Sequence, residues 1–167
     1  MIHSIHDFEY FWSMEIEHTQ KIFKHLTDRA LAQAITPQNR TLGRLAWHIV
    51  QTIPEMAGRT GLHVAGPAEH EPVPASAKAI FAAYNNAAIS VLEEVKKNWS
   101  DATLQVKDDM YGQQWTRAFT LTVLITHQIH HRGQMTVLMR QAGLDVPGIY
   151  GPARQEWAQW GMPEPAI

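Results

Sequence analysis

The sequence predicts an all-α fold, a four-helix bundle, and three observations carry that expectation. Four segments repeat apolar residues at three- and four-residue steps, the period of a helix that buries one face. Almost nothing alternates with the period of two that a half-buried strand requires. Breaks rich in Pro, Gly and Asn separate the four segments. With 167 residues and 45% apolar composition, residues 1–167 form a single domain with one core.

The first helix opens at Ser4, with Asp7 three residues on as the partner of a capping box. Phe8, Phe11/Trp12, Glu15/Ile16, Thr19, Ile22/Phe23 and Leu26 trace its buried stripe, and Thr27-Asp28 interrupts it. Thr41 caps a second helix carrying Leu42, Leu45, His48/Ile49, Thr52 and Met56 on one face. Pro54 is expected to end or kink it, because proline lacks the amide and crowds the preceding turn. Residues 61–74 hold three prolines and two glycines and form a connecting loop.

Ser76 caps a third helix with Ile80/Phe81, Tyr84, Ala87/Ala88, Val91/Leu92, Val95 and Trp99 in register. A short irregular or extended excursion follows over 103–116, from the alternation in Leu104-Gln105-Val106-Lys107 and the turn signal Tyr111-Gly112. The fourth helix runs from about Arg117 to Gln141 through Leu121, Leu124, His127/Gln128, His131, Met135 and Leu138, with Gly143 to terminate it. A turn or two of helix near Ala153–Trp160 closes the chain, and the six tryptophans are mostly core candidates.

Composition narrows function by exclusion. A net charge of −2 with scattered basic residues gives no footprint for nucleic acid. No run of about 18 apolar residues exists to span a membrane. Acidic residues at Asp7, Glu9, Glu15 and Glu17 break what a secretory leader would need as an apolar run. A cytoplasmic protein is therefore the expectation. Cysteine is absent, so no disulfide, thiolate ligand or cysteine nucleophile is available. There is no Gly-x-Ser-x-Gly elbow, Walker loop or dinucleotide fingerprint. Ten histidines are the excess; their protonation would turn the net charge positive below about pH 6.5.

The sharpest feature is His127-Gln-Ile-His130-His131-Arg-Gly-Gln134. Residues four apart share a helix face, about 5–6 Å between Cβ atoms, so His127 and His131 can converge on one ion. Both lie in the apolar stripe and are expected to point inward. His130 is turned about 100° from His131 and aims elsewhere. His48, on the core face of the second helix, is the best third ligand. Three neutral histidines leave a coordination position open, as catalytic sites do. The alternative is that these are hydrogen-bonded core histidines with no metal.

Gln134 can hydrogen-bond a ligand histidine from behind. Gly133, costly inside a helix, suggests close helix approach, and Arg132 belongs in an ion pair or in solvent. His3, His6, His18, His25, His63 and His70 read as surface or packing residues. Trp47, beside His48, is either core or pocket lining, with core favoured. His127-Gln128-xx-His131 is also the zincin spacing, but glutamine cannot serve as general base, which argues against a metalloprotease.

Leu45-Ala-Trp-His48-Ile, the histidine triplet with its Arg-Gly-Gln, and the tail Pro147-Gly-Ile-Tyr-Gly-Pro-Ala-Arg-Gln-Glu-Trp157 together resemble the DinB/YfiT-like superfamily of metal-binding helical bundles. The resemblance implies up-down-down-up connectivity, with the long link between the second and third helices. It maps the metal ligands onto His48, His127 and His131. It further implies one divalent ion, with nickel or zinc foremost, and often a homodimer. Some branches are S-transferases using low-molecular-weight thiols, and others resemble maleylpyruvate isomerases. One departure is Gln128, where many members carry glutamate. The expected function is thus divalent-metal binding, with possible thiol-dependent transfer onto a small molecule. A non-catalytic, stress-related binding module is the alternative.

Overall fold

A computed structural model describes residues 2–166. Four helices make up the body: α1 (Ile5–Lys24), α2 (Leu42–Gly58), α3 (Ala77–Asn98) and α4 (Arg117–Gln141). α1 packs against α3 and α4, and α2 packs against the same two. His48 lies on α2 and His127 and His131 on α4, so the seam between these two helices carries the candidate site residues.

Each helix begins where a side chain satisfies the free amides of its first turn. Ser4 Oγ accepts the Asp7 amide at 3.0 Å while Asp7 Oδ2 accepts the Ser4 amide at 3.0 Å, the anticipated capping box. Thr41, Ser76 and Thr116 cap α2, α3 and α4 in the same way. Asp28, in the 3₁₀ turn Asp28–Ala32, accepts the Ala77 amide at 2.7 Å and so ties the start of α3 to the end of the α1 region.

Phe8, Trp12, Ile22, Ile49, Ile53, Ile80 and Tyr84 are fully buried, and Leu124 and Met135 nearly or fully so. Side chains of this size each contribute about 1.5–3 kcal/mol on burial. The Trp12 indole N–H does not go unpaired: it donates to the Ala88 carbonyl at 2.8 Å.

Four expectations need correction. α2 does not end at Pro54 but continues to Gly58, because Ile53, Met56 and Ala57 on either side of the proline are buried in the core. Packing there outweighs the missing hydrogen bond. Leu104 and Gln105 belong to a 3₁₀ turn, Asp101–Gln105, instead of a strand. The Thr103 hydroxyl accepts the Ser100 amide, which closes that turn, and Leu104 is driven inward. Gly133 lies under no neighbour: a Cβ there would meet nothing within 4 Å. Trp160, a core candidate by composition, is 69% exposed, because the tail 3₁₀ helix Arg154–Trp160 contributes no buried residue.

The extended excursion is real but starts later. β1 (Lys107–Met110) and β2 (Gln113–Thr116) pair antiparallel, with Met110 opposite Gln113. Tyr111 and Gly112 connect them with φ of 59° and 80°. Two consecutive positive φ values define the tight turn that matches strand twist, and only glycine enters that region freely. Tyr111 is held there while its hydroxyl donates to Glu55 Oε2 at 2.7 Å, so the hairpin tip is pinned to α2. No described helix is long and apolar enough to cross a membrane.

Candidate metal centre

The caps and core contacts that set the register of α2 and α4 bring His48, His127 and His131 together. Ring centroids lie 5.0 Å apart for His48–His127, 4.7 Å for His48–His131 and 4.4 Å for His127–His131. One nitrogen from each ring falls within 4.8 Å of the other two, so the three could hold a metal ion. His131 is buried, while His48 and His127 are half-buried at the rim of a cleft.

Hydrogen bonding orients this set. His131 Nδ1 lies 2.7 Å from Gln134 Oε1, and Gln134 Nε2 lies 3.1 Å from His130 Nε2. An amide oxygen only accepts, so Nδ1 of His131 carries the proton and its Nε2 lone pair faces the cluster. The amide nitrogen of Gln134 then donates to His130, an exposed residue whose Nε2 is spent on that bond. His130 therefore stands beside the set, outside it.

Burial pushes all three imidazoles toward the neutral form. The ordinary value of 6.5 falls to about 3 at His48 and about 4 at His127, first through desolvation and then through nearby positive groups including Arg40. His131 is lowered by the same burial, partly offset by Gln134. Neutral imidazole is the form that ligates a metal.

The donor set fits an ion on grounds internal to the molecule. His131 Nε2 and His127 Nε2 are 3.1 Å apart, within hydrogen-bond distance of each other. Two lone pairs at that distance repel unless a proton or a cation lies between. Tetrahedral ligands on zinc sit about 3.3 Å from each other, close to the observed spacing. His127 Nδ1, meanwhile, is buried with no hydrogen-bond partner. The sequence alone already gives three imidazoles and no cysteine.

Two openings reach the histidines. A cleft of about 620 Å³ is bordered by His48, His127, Arg44, Glu55, Tyr111 and Trp115. A second, of about 420 Å³, lies on the His131 and Gln134 side, against Leu45, Val137 and Leu138. Arg40 lines both. In the first cleft, Glu55 is engaged by Arg59 at 2.5 Å and by Tyr111. Gln51 accepts from Arg44 Nη1 at 2.9 Å and donates to the carbonyls of Ala68, Glu69 and Glu71.

Other sequence candidates fall elsewhere. Trp47 is buried and its indole N–H donates to the Glu71 carbonyl at 3.0 Å, a structural role. His3, His6, His25 and His63 are exposed, and His70 is exposed at the mouth of the larger cleft. Gln128 does not face the histidines. Fully buried, it accepts from Tyr84 Oη at 3.0 Å and from Thr19 Oγ1 at 3.3 Å. Its hydrogen bonds run to α1 and α3 and to none of the three histidines.

Arg40, Arg44, Tyr111 and Trp115 were not legible as site residues. Arg40 lies just before the Thr41 cap, where nothing in the periodicity marks it. The two aromatics arrive on a hairpin whose docking onto α2 only the tertiary structure reveals. Arg132 is not in solvent; it is a buried ion pair with Glu15 at 2.5 Å.

A bundle that gathers three histidines from two helices is the class of metal-binding helical protein the sequence resembles, and comparison supplies the family. The DinB family model matches residues 1–162. The chain belongs to the DinB family. It is 50% identical over 156 residues, 93% of each chain, to a protein of Bacillus subtilis strain 168 described as "Uncharacterized protein YrdA". The crystal structure of a DinB-like protein from Bacillus cereus ATCC 10987 aligns with a TM-score of 0.86 and 46% identity, covering 90% of this chain and all of that one. A second, the DinB-like protein YjoA of Bacillus subtilis, aligns at 0.68 with 16% identity over 87% of this chain and 98% of its own, a likeness of fold alone.

Proposed function

We propose that the protein binds one divalent metal ion, nickel or zinc, through His48, His127 and His131. On this reading it serves a small-molecule transfer reaction that uses a low-molecular-weight thiol. The observation that carries the reading is the convergence of three desolvated imidazoles whose nitrogens face one another. When bound, such an ion supplies Lewis acidity, able to lower the pKa of a thiol or to polarise a carbonyl. The chain itself offers no cysteine, so the thiol comes from outside. In the transfer, the thiol gives up its proton, its sulfur bonds to an electrophilic carbon, and the leaving group departs with the bonding pair.

The protein's own part is positional. Gln134 fixes the tautomer of His131, and burial keeps all three rings neutral. Tyr111 and Trp115 wall the larger cleft. One feature favours a binding module without catalysis: Glu55, a carboxylate of the larger cleft, is already engaged by Arg59 and Tyr111. A homodimeric, cytoplasmic protein belongs to the same proposal, and light scattering tests the dimer.

The deciding experiment is metal analysis of protein purified without a histidine tag, followed by melting of the metal-free form with zinc, nickel or manganese. One equivalent bound and a raised Tm are expected. A protein that takes up none of them, with an unchanged Tm, would overturn the reading. Transfer activity toward several thiols then separates enzyme from binding module, and activity that survives His48→Ala would count against a metal mechanism.

A further inference from the structure

The hairpin that leads into α4 carries one residue placed against its own preference. Among the described residues, Tyr111 is the one non-glycine with a positive φ, 59°. Asparagine or glycine enters that region more readily at the first central position of such a turn, and a bulky side chain is held there at a cost. Strained residues of this kind persist only where surrounding contacts over-determine them, and they cluster at ligand clamps and switch regions.

The contacts around Tyr111 divide into a fixed frame and a single latch. Met110 is fully buried, and Asp108 pairs with Arg117 at 3.0 Å, so the hairpin backbone is anchored on the bundle. The Tyr111 side chain, beyond that frame, is 51% exposed. Its hydroxyl donates to Glu55 Oε2 at 2.7 Å, and the guanidinium of Arg59, itself paired with Glu55, lies 4.3 Å from the ring centroid. Trp115 meets the ring edge-on at 5.8 Å. Burial, and then the Glu55 carboxylate, push the phenol up to about 12, so the latch proton stays in place at neutral pH.

This latch joins the two sides of the larger cleft. Glu55 belongs to α2, the helix of His48, while Tyr111 sits on the hairpin leading into α4, the helix of His127; all four line the cleft. Glu55 is seven residues along α2 from His48, about 10 Å at the helical rise, which leaves the strap clear of the imidazoles. Because the side chain is half exposed, water competes for its hydrogen bond, and release needs only rotation about its own bonds. A permanent brace would be better served by a buried contact and by a residue that suits the turn.

We propose that Tyr111 is a side-chain gate on the larger opening. Latched to Glu55, it straps the cleft; rotated away, it admits molecules to His48 and His127. The gate acts on access, so it operates whatever the histidines hold. His131, which borders the second opening, lies outside its control.

The test uses the full chain, metal-free, with diethyl pyrocarbonate, a reagent that acylates neutral imidazole. Mass spectrometry of peptides reads the rate at each histidine. Tyr111→Phe keeps the ring and loses the latch proton, and it should raise the rates at His48 and His127 about tenfold, the range of a hydrogen bond to a charged group. His131 and the exposed His3 and His63 should keep their parent rates. Tyr111→Asn, better suited to the turn, should raise the same two rates at least as far without lowering Tm.

An unchanged rate at His48 or His127 in Tyr111→Phe would overturn the gate. Equal rises at all three clustered histidines, with a lowered Tm in Tyr111→Asn, would make Tyr111 a brace and overturn it too. No metal enters the measurement, so a chain that takes up no zinc would overturn the metal reading alone.

Discussion

Helix α4 sends two polar pairs into the interior, one residue apart in sequence, and they meet opposite fates. Gln128 and Arg132 turn toward α1 and α3, where the chain partners almost all of their polar atoms. Arg132 donates to Glu15 Oε2, to Thr19 Oγ1 at 3.0 Å and to the Tyr150 hydroxyl at 2.7 Å, and Tyr150 donates in turn to Glu15 Oε1 at 2.6 Å. Only Gln128 Nε2 is left without a partner in that group. His127 and His131, about 100° around the helix, turn toward α2 and find chiefly each other and His48. A polar network closed on itself specifies structure, whereas ring nitrogens gathered from two helices can take up something from outside.

The comparison breaks most visibly at Arg132. Arg132→Met leaves the Glu15 carboxylate buried without its guanidinium, and the loss should be about 3–5 kcal/mol in urea unfolding. Adding Glu15→Gln should recover part of it. A single-variant loss below about 1 kcal/mol would mean the network is not closed in the way described.

On the other seam, the loss should appear only when metal is present. His48→Ala or His131→Ala should abolish a metal-dependent stabilisation of about 2.7 kcal/mol, the value for ligand at a hundredfold excess over Kd. His130→Ala should keep most of it. Thermal melts with and without zinc read the difference.

Proton competition sharpens the same contrast. His48 and His127 titrate in the folded chain near 3 and 4 instead of 6.5. Between those values and 6.5 the unfolded chain binds more protons, so stability falls as pH is lowered through that window. Above about 6.5 both states are neutral and these groups add no slope. Metal should accordingly be retained near pH 5, where ordinary surface histidines are protonated, and be released as pH approaches 4 and below. Release complete by pH 6 in a dialysis titration would contradict this.

Smaller effects come from the residues around the pair. Gln134→Ala should weaken metal binding about tenfold, the lower end for a residue that orients a ligand, since Gln134 is itself exposed. Competition with a chelator measures it. Gly133→Ala should stabilise the protein by about 0.5–1 kcal/mol, because alanine is the better helix former and its Cβ meets nothing. A destabilised variant would restore a packing role for that glycine.

Much of this molecule was legible in its sequence. Ser4, Thr41 and Ser76 mark helix starts through chemistry confined to four residues, and the 3.6-residue period of Ile80, Tyr84, Ala87 and Val91 needs no partner to be read. The spacing of His127 and His131 is likewise a local fact. Arg132 could be read only as paired or solvated, because its partner Glu15 lies 117 residues away.

Sequence by itself therefore determined the helices, their caps, and which faces carry histidine, since short-range geometry fixes all of these. Tertiary structure decided what those faces meet. It carried α2 through Pro54 because the core held both sides of it, directed Gln128 away from the histidines and into a closed network, and set Arg40, Arg44 and the Tyr111–Trp115 wall around the cluster. Those outcomes depend on contacts between residues distant in the chain, and local periodicity holds no record of them.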